Sequence, residues 1–361
     1  MKFSEPKISS KHACFEKGAY ASKSAKYYLN NEFDPNTIKK VAVIRHAALG
    51  DQVITRPFLV EARKFFPNAE ITLVALSTYQ YGMPSDLADR TVVLHGRDKK
   101  GQVSFSDKMA NFKEVGDQDI IFDLACTNRS YWVNILNKAK LKVGFPYKSW
   151  LHGKLYNAAV WRSDFSPEVE TMLDMLRLLG HTPALRLDFA YPDHQELVNK
   201  KTPYIVYFNG ASQPRKVLQN DQMKTLLEAA IKKHPNIEHV FLEGVKDNEK
   251  GEYLSDLSKY KNFKVQPCLP LDELLAYCAG ATMVVAPDTG VRNVAISTHT
   301  PTVGIFYATV PFRYTPRYEP IHYIAMNADA SVPTTTQILD IMASTGLLPE
   351  ATSTTALRNQ T

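Results

Sequence analysis

Asp51 stands where a carboxylate could do chemistry. It follows an apolar stretch at residues 41–46, which predicts a buried strand, and a loop of small residues at 47–50. A carboxylate held at the end of a strand can take a proton from a substrate hydroxyl and act as a general base. The alternative is structural, because Asp is among the best N-cap residues and an amphipathic helix is predicted to follow. Taken alone, the residue leaves both interpretations open.

Basic residues surround the same loop. Arg45 and His46 end the predicted strand, and Arg56 follows the loop closely. Each alone is typical of a protein surface, but together they would suit an anionic acceptor. Gly50 would let the backbone approach a ligand, because glycine has no Cβ atom. These four residues are candidate acceptor-binding residues.

A second candidate site is the stretch NGAS at residues 209–212, which follows another predicted strand. Its small residues and Ser212 leave room for backbone N–H groups around a phosphate, and the nearby Lys216 supplies a compact positive charge. The alternative is an ordinary polar loop with a solvated lysine.

A third candidate site lies within residues 282–307, which predict a strand, a tight turn, a short helix and a second strand. The turn has the sequence PDTG at residues 287–290. A helix start after such a turn offers free backbone N–H groups and the positive end of the helix dipole to a phosphate. Alternatively, Asp288 caps the helix and Gly290 only shapes the turn. Asp51 would supply a carboxylate from the first half of the chain, and these two stretches would supply a phosphate site from the second half. A sugar-nucleotide transferase requires both.

The elements that must position these residues alternate between strand and helix. Continuous apolar strands predict parallel sheets covered on both faces, and the alternation predicts right-handed βαβ units. Strands are predicted at residues 41–46, 71–76, 91–94, 119–126, 141–145, 204–208, 239–242, 263–265, 282–286, 301–307 and 322–325. Helices are predicted at residues 52–66, 130–138, 168–179, 219–233, 250–259, 271–279, 291–297 and 335–344.

This pattern predicts an α/β protein with two facing Rossmann-like domains. Ligands in such sheets bind outside the carboxyl ends of the strands, so a cleft between the domains would hold the site. The predicted parts are an N-terminal extension at 1–39, a domain at 40–190, a linker at 191–202, a domain at 203–330, a C-terminal helix at 331–349 and a flexible tail at 350–361.

Composition excludes several classes of function. The chain has 361 residues, 44% of them hydrophobic, and no apolar run near the ~20 residues that cross a bilayer. The start of the chain lacks the apolar core of a secretory signal, so a cytoplasmic protein is expected. The net charge of +6 is not gathered into basic stripes, which argues against a nucleic-acid partner.

Missing motifs narrow the choice further. The four cysteines (Cys14, Cys126, Cys268, Cys278) form no CxxC pair and no metal-binding spacing. The chain has no GxGxxG after its first strand, which argues against a nicotinamide enzyme, and no P-loop, which argues against a P-loop kinase. GxSxG is absent as well. No metal or cofactor is therefore expected.

In order and spacing, the chain resembles the family 9 glycosyltransferases, the bacterial lipopolysaccharide heptosyltransferases. The resemblance covers roughly residues 40–325. In the first half, the matching stretches are RHAALGD at 45–51, TRP at 55–57, FDL at 122–124, RS at 129–130, VGF at 143–145 and MLDMLRLLG at 172–180. In the second half, they are GAS at 210–212 with Lys216, FLEG at 241–244, PDTG at 287–290 and PTVGIF at 301–306.

The resemblance implies a GT-B fold and an inverting, metal-independent transfer of heptose from ADP-heptose onto the inner core of lipopolysaccharide. It places the general base on Asp51 and the phosphate-binding lysine on Lys216. Thr289 and Gly290 would offer backbone N–H groups to the diphosphate, and Asp288 would hold sugar hydroxyls. The resemblance also adds Ser212, Glu243 and Asn293 to the donor-binding residues and Arg129 to the acceptor-binding residues.

The chain departs from the family pattern at several positions. Asn293 stands where the family usually has histidine, Leu218-Gln219 replaces Trp-Pro, and Tyr307-Ala308-Thr309 replaces Gly-Pro-Thr. Asn293 can form hydrogen bonds but carries no charge, which leaves room for another donor sugar or acceptor position. Three alternatives stay open: a transferase using another nucleotide sugar, a sugar-nucleotide epimerase, and a non-catalytic sugar-nucleotide-binding protein.

A heptosyltransferase of this kind is expected to act at the inner face of the cytoplasmic membrane, as a peripheral protein. Contact with the membrane would rest on basic and aromatic surface rather than on an inserted helix. Residues 2–28, which are rich in lysine and contain Tyr20, Tyr27 and Tyr28, are the predicted contact.

Overall fold

The computed structural model describes residues 19–145, 155–163, 165–184 and 186–348. The chain divides into two compact units, Met1–Ala190 (unit 1) and Tyr191–Thr361 (unit 2). The predicted flexible tail at residues 350–361 and residues 2–18 of the predicted membrane contact lie outside the described residues.

Unit 1 is built on a sheet of seven strands within its described residues. In chain order they are β1 (Ala19–Ala21), β2 (Lys40–Ile44), β3 (Glu70–Leu76), β4 (Arg90–Leu94), β5 (Ile120–Asp123), β6 (Leu141–Gly144) and β7 (Ala158–Val160). Their spatial order is β1-β7-β6-β5-β2-β3-β4, and every pair is parallel except β1 with β7. The helices are α1 (Lys23–Asn31), α2 (Leu49–Val53), α3 (Arg56–Phe65), α4 (Phe105–Lys113), α5 (Asn128–Leu136) and α6 (Glu168–Leu178). Short 3-10 turns cover Pro35–Thr37, Ser85–Leu87 and Arg97–Lys99.

Unit 2 is built on six parallel strands within its described residues. They are β8 (Tyr204–Tyr207), β9 (Glu238–Leu242), β10 (Phe263–Gln266), β11 (Met283–Pro287), β12 (Thr302–Ile305) and β13 (His322–Ala325), in the spatial order β10-β9-β8-β11-β12-β13. The helices are α7 (His194–Leu197), α8 (Asn220–Lys233), α9 (Leu271–Gly280), α10 (Gly290–Ser297) and α11 (Thr335–Ser344). The 3-10 segments are Pro214–Lys216, Asp247–Glu249, Glu252–Lys259 and Pro311–Arg313.

The two sheets share one strand order. Counted from β2, unit 1 reads third, second, first, fourth, fifth, sixth, and unit 2 reads the same when counted from β8. The order reverses where β2 lies beside β5 and where β8 lies beside β11. In open α/β sheets, this switch point is where the carboxyl ends of the strands leave a crevice for ligands. The prediction of two Rossmann-like domains with parallel sheets is confirmed.

Buried apolar side chains hold helices against each sheet. In unit 1, Ile44, Val74 and Ile121 from the strands pack with Val133 of α5. In unit 2, side chains of α8 and α11 pack on β8 and β9 in one large cluster that includes Leu227, Met342, Tyr207 and Phe241. None of the helices in the described ranges combines the length and apolar composition that crossing a membrane requires.

The sequence left the structure of the predicted extension open, and its described part contains β1, which pairs with β7, and α1. Two predicted helices differ from the structure. The helix predicted at 52–66 is two helices, since Pro57 lacks the N–H that a continuous helix would need there. The segment predicted as a helix at 250–259 is a 3-10 helix from Glu252 to Lys259.

The predicted linker at residues 191–202 is attached to unit 2. His194 donates its backbone N–H to Thr298 O at 2.8 Å, and its Nδ1 lies 2.8 Å from Ala279 O. Asn199 donates its backbone N–H to Gly280 O at 3.0 Å. These bonds satisfy backbone groups that a free linker would leave to water.

Candidate functional site

Asp51 lies in the first turn of α2, at the carboxyl end of β2. The N-cap of α2 is Ala48, so the interpretation of Asp51 as the N-cap is wrong. Its side chain is 34% exposed, and its Oδ1 accepts a hydrogen bond from Arg45 Nη2 at 3.0 Å. Gly50, also predicted to meet the acceptor, lies beside it in α2 and is partly exposed. Asp51 is therefore partly open to solvent and bonded on one side to Arg45.

Arg45 is buried behind this carboxylate. Only 4% of its side chain is exposed, and its Nη1 donates to Leu124 O at 2.9 Å and lies 3.5 Å from Glu168 Oε1. The structure does not support the predicted contact with an acceptor, because the guanidinium is enclosed by these three partners. Its role in this structure is to hold Asp51.

Arg56 is also buried rather than presented to an acceptor. Its guanidinium forms two bonds to Asp86, at 2.7 and 2.6 Å, and its Nε donates to Phe189 O at 2.6 Å. With 2% of the residue exposed, Arg56 ties the start of α3 to two distant segments of unit 1. The predicted acceptor role is therefore not supported for this residue either.

His46 lies in the loop between β2 and α2, and Arg129 lies in the first turn of α5. The Nδ1 of His46 lies 2.7 Å from Thr127 Oγ1, and its Nε2 is buried although part of the ring is exposed. Burial lowers the pKa of His46 to about 3, and the charges of Arg129 and Arg45 act in the same direction. His46 is therefore neutral at ordinary pH. Arg129 is partly exposed and donates from Nε to His95 O at 2.7 Å.

The site of unit 2 joins the loops after β8 and β11. Lys216 ends the 3-10 turn that follows β8, and its Nζ lies 2.6 Å from Asp288 Oδ2. Thr309, after β12, donates its hydroxyl to the same oxygen at 3.0 Å. Lys216 is 15% exposed and Asp288 is 7% exposed in their side chains, so the ion pair is largely buried. The switch point of this sheet therefore holds an ammonium group in a fixed position.

The start of α10 lies at the same edge. Thr289 is its N-cap, with its hydroxyl accepting the backbone N–H of Arg292 at 3.3 Å, so the alternative in which Asp288 caps the helix is wrong. The helix begins at Gly290, one residue before the predicted start, and leaves backbone N–H groups of its first turn for an anion. Asn293, one turn into α10, is 5% exposed.

The remaining predicted donor residues lie in the loops after β8 and β9. Ser212 is exposed in the loop after β8. Glu243 is partly exposed, accepts the N–H of Gly251 at 2.8 Å and lies 3.7 Å from Lys250 Nζ. In the same loops, a Cβ at Gly210 would stand 2.7 Å from both Phe208 Cζ and Glu249 Oε1, so a side chain there would have to displace these groups.

Two residues of these sites were missed by the sequence interpretation. Thr309 was noted only as a departure from the family pattern, although it contacts Asp288. Glu168 was identified only as the start of a helix, although its carboxylate meets Arg45 across 123 positions of the chain. No local spacing links residues so far apart, so the sequence carries no signal for this contact.

Metal ligands are not gathered anywhere in the described part of the chain. No group of three or more His, Cys, Asp or Glu side chains could hold a metal ion among residues 19–145, 155–163, 165–184 and 186–348. Within the same ranges, Cys126, Cys268 and Cys278 are free thiols, and Cys126 and Cys278 are buried. Burial, with the charge of Asp123 adding to it, raises the pKa of the Cys126 thiol far above its ordinary value.

Two Rossmann-like units with parallel sheets of the same strand order place the chain in the GT-B fold class. The chain belongs to glycosyltransferase family 9 (heptosyltransferase), whose model matches residues 109–337, more than half of the chain. The matched range contains Lys216 and Asp288 and begins after Asp51. The resemblance inferred from the motifs is thereby confirmed.

Individual relatives agree with this assignment. The chain is 22% identical over 306 residues to lipopolysaccharide heptosyltransferase 1 of Campylobacter coli, covering 76% of this chain and 85% of that protein. It is 20% identical over 288 residues to the lipopolysaccharide core heptosyltransferase OpsX of Haemophilus influenzae, covering 77% and 82%. The structure of E. coli heptosyltransferase WaaC with ADP-2-deoxy-2-fluoro heptose is similar in fold, with a TM-score of 0.67 at 18% identity over 84% of this chain and 99% of that one.

Proposed function

We propose that this protein is an inverting glycosyltransferase that moves a heptose from ADP-heptose to the inner core of lipopolysaccharide. The observation that carries the proposal is the Lys216–Asp288 pair beside the start of α10, within the range matched by the heptosyltransferase family. The names of the two relatives and the ADP-heptose analogue in the WaaC structure support the donor and the acceptor.

Asp51 is the proposed general base. It would take the proton of the attacking acceptor hydroxyl as the new bond to the anomeric carbon forms and the bond to the diphosphate breaks. Attack opposite the leaving group inverts the anomeric centre. The partly exposed carboxylate suits this role, since it can meet a hydroxyl while Arg45 holds one of its oxygens. Arg129, His46 and Gly50 remain proposed acceptor contacts.

The departing diphosphate must be stabilised as its charge develops. Lys216, the backbone N–H groups of Thr289 and Gly290, and the Ser212 hydroxyl are the proposed donors. Such fixed donors act most strongly where water is excluded. They supply positive charge without a metal or another cofactor, so the proposed transfer is metal-independent. Asp288 and Glu243 are proposed to meet sugar hydroxyls of the donor.

Asn293 bears mainly on the identity of the donor sugar. The residue is 5% exposed, lies in the first turn of α10 and carries no charge. A neutral amide recognises hydroxyl groups by hydrogen bonds alone, so another nucleotide sugar is the second candidate. An epimerase would share the donor site but would need no acceptor.

One experiment separates these functions. The purified protein is incubated with ADP-heptose, or with other ADP-, UDP- and GDP-sugars, with and without a heptose-free lipopolysaccharide core, and the products are identified by mass spectrometry. The proposal expects a heptosylated core and free ADP only when both substrates are present. Conversion of the donor alone would show an epimerase, and stabilisation by a nucleotide sugar without turnover would show a binding protein.

Peripheral contact with the cytoplasmic face of the membrane is part of the proposal. Tyr20 and Tyr27, within the predicted contact, are 49% and 63% exposed. Deleting the whole segment would remove β1 from its sheet, so substitution is the better test. The variant Tyr20→Ser/Tyr27→Ser should sediment less with anionic vesicles than the wild type. Equal sedimentation would remove this surface from the proposal.

A further inference from the structure

A row of side chains follows the carboxyl edge of the unit 1 sheet. Arg45 comes after β2, Leu124 after β5, Phe145 after β6 and Arg162 after β7, and these four strands are consecutive neighbours. Glu168, the first residue of α6, lies between the two arginines. A carboxylate at the N-terminus of a helix is favoured by the helix dipole. The row therefore connects the far side of the sheet with the loop that carries Asp51.

Charges alternate along this row. Arg162 donates from Nε to Glu168 Oε2 at 2.9 Å and from Nη2 to Oε1 at 2.5 Å. The same Oε1 lies 3.5 Å from Arg45 Nη1, and Arg45 Nη2 donates to Asp51 Oδ1 at 3.0 Å. Arg162 also stacks on the ring of Phe145, 5.2 Å from its centre. The sequence of charges is negative, positive, negative, positive, beginning at Asp51.

Exposure falls sharply behind the first member of the row. Asp51 is 34% exposed in its side chain, whereas Arg45 is 4%, Glu168 1% and Arg162 12% exposed. A buried charge is tolerated only when partners compensate it, and a planar guanidinium held at two edges has one orientation left. Leu124 O and Glu168 fix one side of Arg45, so its Nη2 points at the Asp51 carboxylate.

We propose that Glu168 and Arg162 are positioning residues for the base, acting on Asp51 through Arg45. Glu168 offsets the charge of Arg45. Arg45 can therefore orient the Asp51 carboxylate without weakening Asp51 as a base. Arg162 holds the Glu168 carboxylate in place against the attraction of Arg45. This inference rests on the proposed function, because it matters only if Asp51 accepts a proton from the acceptor.

The variant Glu168→Gln tests the inference. Without the Glu168 charge, Arg45 interacts with Asp51 alone and favours its charged form, so the acid limb of the pH–rate profile should move to lower pH. Charged groups on the neighbouring elements include Arg129 of α5 and Arg162 after β7, and His46 is neutral above about pH 3. We expect kcat to fall ~10- to 100-fold from the misplaced and weakened base, with KM for the donor unchanged.

Control variants keep the test decisive. Asp174→Asn removes a carboxylate from the same helix, where its pair with Arg177 is about half exposed, and should leave the profile unchanged. Because Glu168→Gln leaves two arginines unbalanced, Glu168→Gln/Arg162→Gln removes one charge of each sign and should still shift the acid limb. Glu168→Asp keeps the charge and should recover part of kcat. Circular dichroism establishes which variants are folded.

The outcomes separate this inference from the proposed function. An unchanged kcat in the folded Glu168 variants, or a lower kcat with an unmoved acid limb, would overturn the positioning role. Loss of turnover in Asp51→Asn, measured alongside, would in that case leave the general base in place. Normal turnover in Asp51→Asn would instead overturn the base, and the positioning role with it.

Discussion

The sites of the two units occupy the same place in two equivalent sheets but present opposite charges. In unit 1, the loop after the first strand of the order presents a carboxylate, Asp51, and buries its cation, Arg45. In unit 2, the corresponding loop presents an ammonium group, Lys216, and the more deeply buried partner is the carboxylate Asp288. In each pair, the more exposed member is held by a more deeply buried group of opposite charge.

This difference shows how one topology serves two chemical tasks. The switch point fixes where a side chain stands, because the carboxyl ends of the first and fourth strands meet there. The buried partner then fixes which sign of charge is presented, since an unpaired buried charge would be costly. The proposed base, Asp51, and the proposed phosphate-binding cation, Lys216, thus occupy equivalent backbone positions with the charges of the pair exchanged.

The largest expected effect breaks the pair of unit 1. Asp51→Asn keeps the shape of the side chain but removes its ability to accept a proton, so kcat should fall by ~100- to 10,000-fold. Donor affinity, measured by calorimetry, should be unchanged, because the donor is assigned to unit 2. A variant that turns over at the rate of the wild type would show that another group takes the proton.

The next largest effect is expected when the Lys216–Asp288 pair of unit 2 is broken. Lys216→Ala should weaken binding of the nucleotide sugar by ~1.5–3 kcal/mol, the contribution of a hydrogen bond to a charged group. Arg215→Ala is the matched control, because Arg215 is the preceding residue, is exposed and bonds to Gln213. Equal affinity of wild type and Lys216→Ala in calorimetry would remove Lys216 from the donor site. Equal losses in both variants would indicate a general effect of charge.

What the sequence revealed of these sites was local. Asp51 and Lys216 could be found because each follows its strand within a few residues, and the strands could be found from continuous apolar stretches. Arg45 and Arg56 were assigned to an acceptor on the same local grounds. Their partners Glu168, Asp86 and Phe189 lie between 30 and 133 positions away along the chain. The environment of a charge depends on such long-range neighbours, which spacing does not encode.

The same limit applies to strands and helix ends. β1 and β7 are three residues long and were missed, since so short an element has no periodicity to detect. The N-caps at Ala48 and Thr289 stand beside the aspartates for which capping was weighed. A shift of one to three residues decided between a cap and a side chain that is available for chemistry.

The smallest kinetic effect is expected for a substitution of His46. This substitution tests whether His46 acts as a cation beside Asp51. Because its pKa is lowered to about 3, His46 carries no charge between pH 5 and 8. His46→Gln keeps a neutral hydrogen-bonding side chain for the proposed acceptor contact, so it should change kcat by ~2-fold or less and leave the pH–rate profile in place. A lost limb near pH 6 would mean that a charged imidazole takes part.

The pH dependence of stability gives an independent measure of the charge on His46. A histidine whose pKa is lower in the native protein than in the unfolded chain binds fewer protons when folded, so stability is full above the unfolded value near 6.5 and declines as the pH falls towards about 3. Glutamine at position 46 does not titrate. Between pH 7 and pH 4.5, the free energy of unfolding in urea should therefore decrease less for His46→Gln than for the wild type. Equal decreases in the free energy of unfolding of the two proteins would show that His46 is charged in the folded state. Unit 1 would then have a third cation near Asp51, in addition to Arg45 and Arg129.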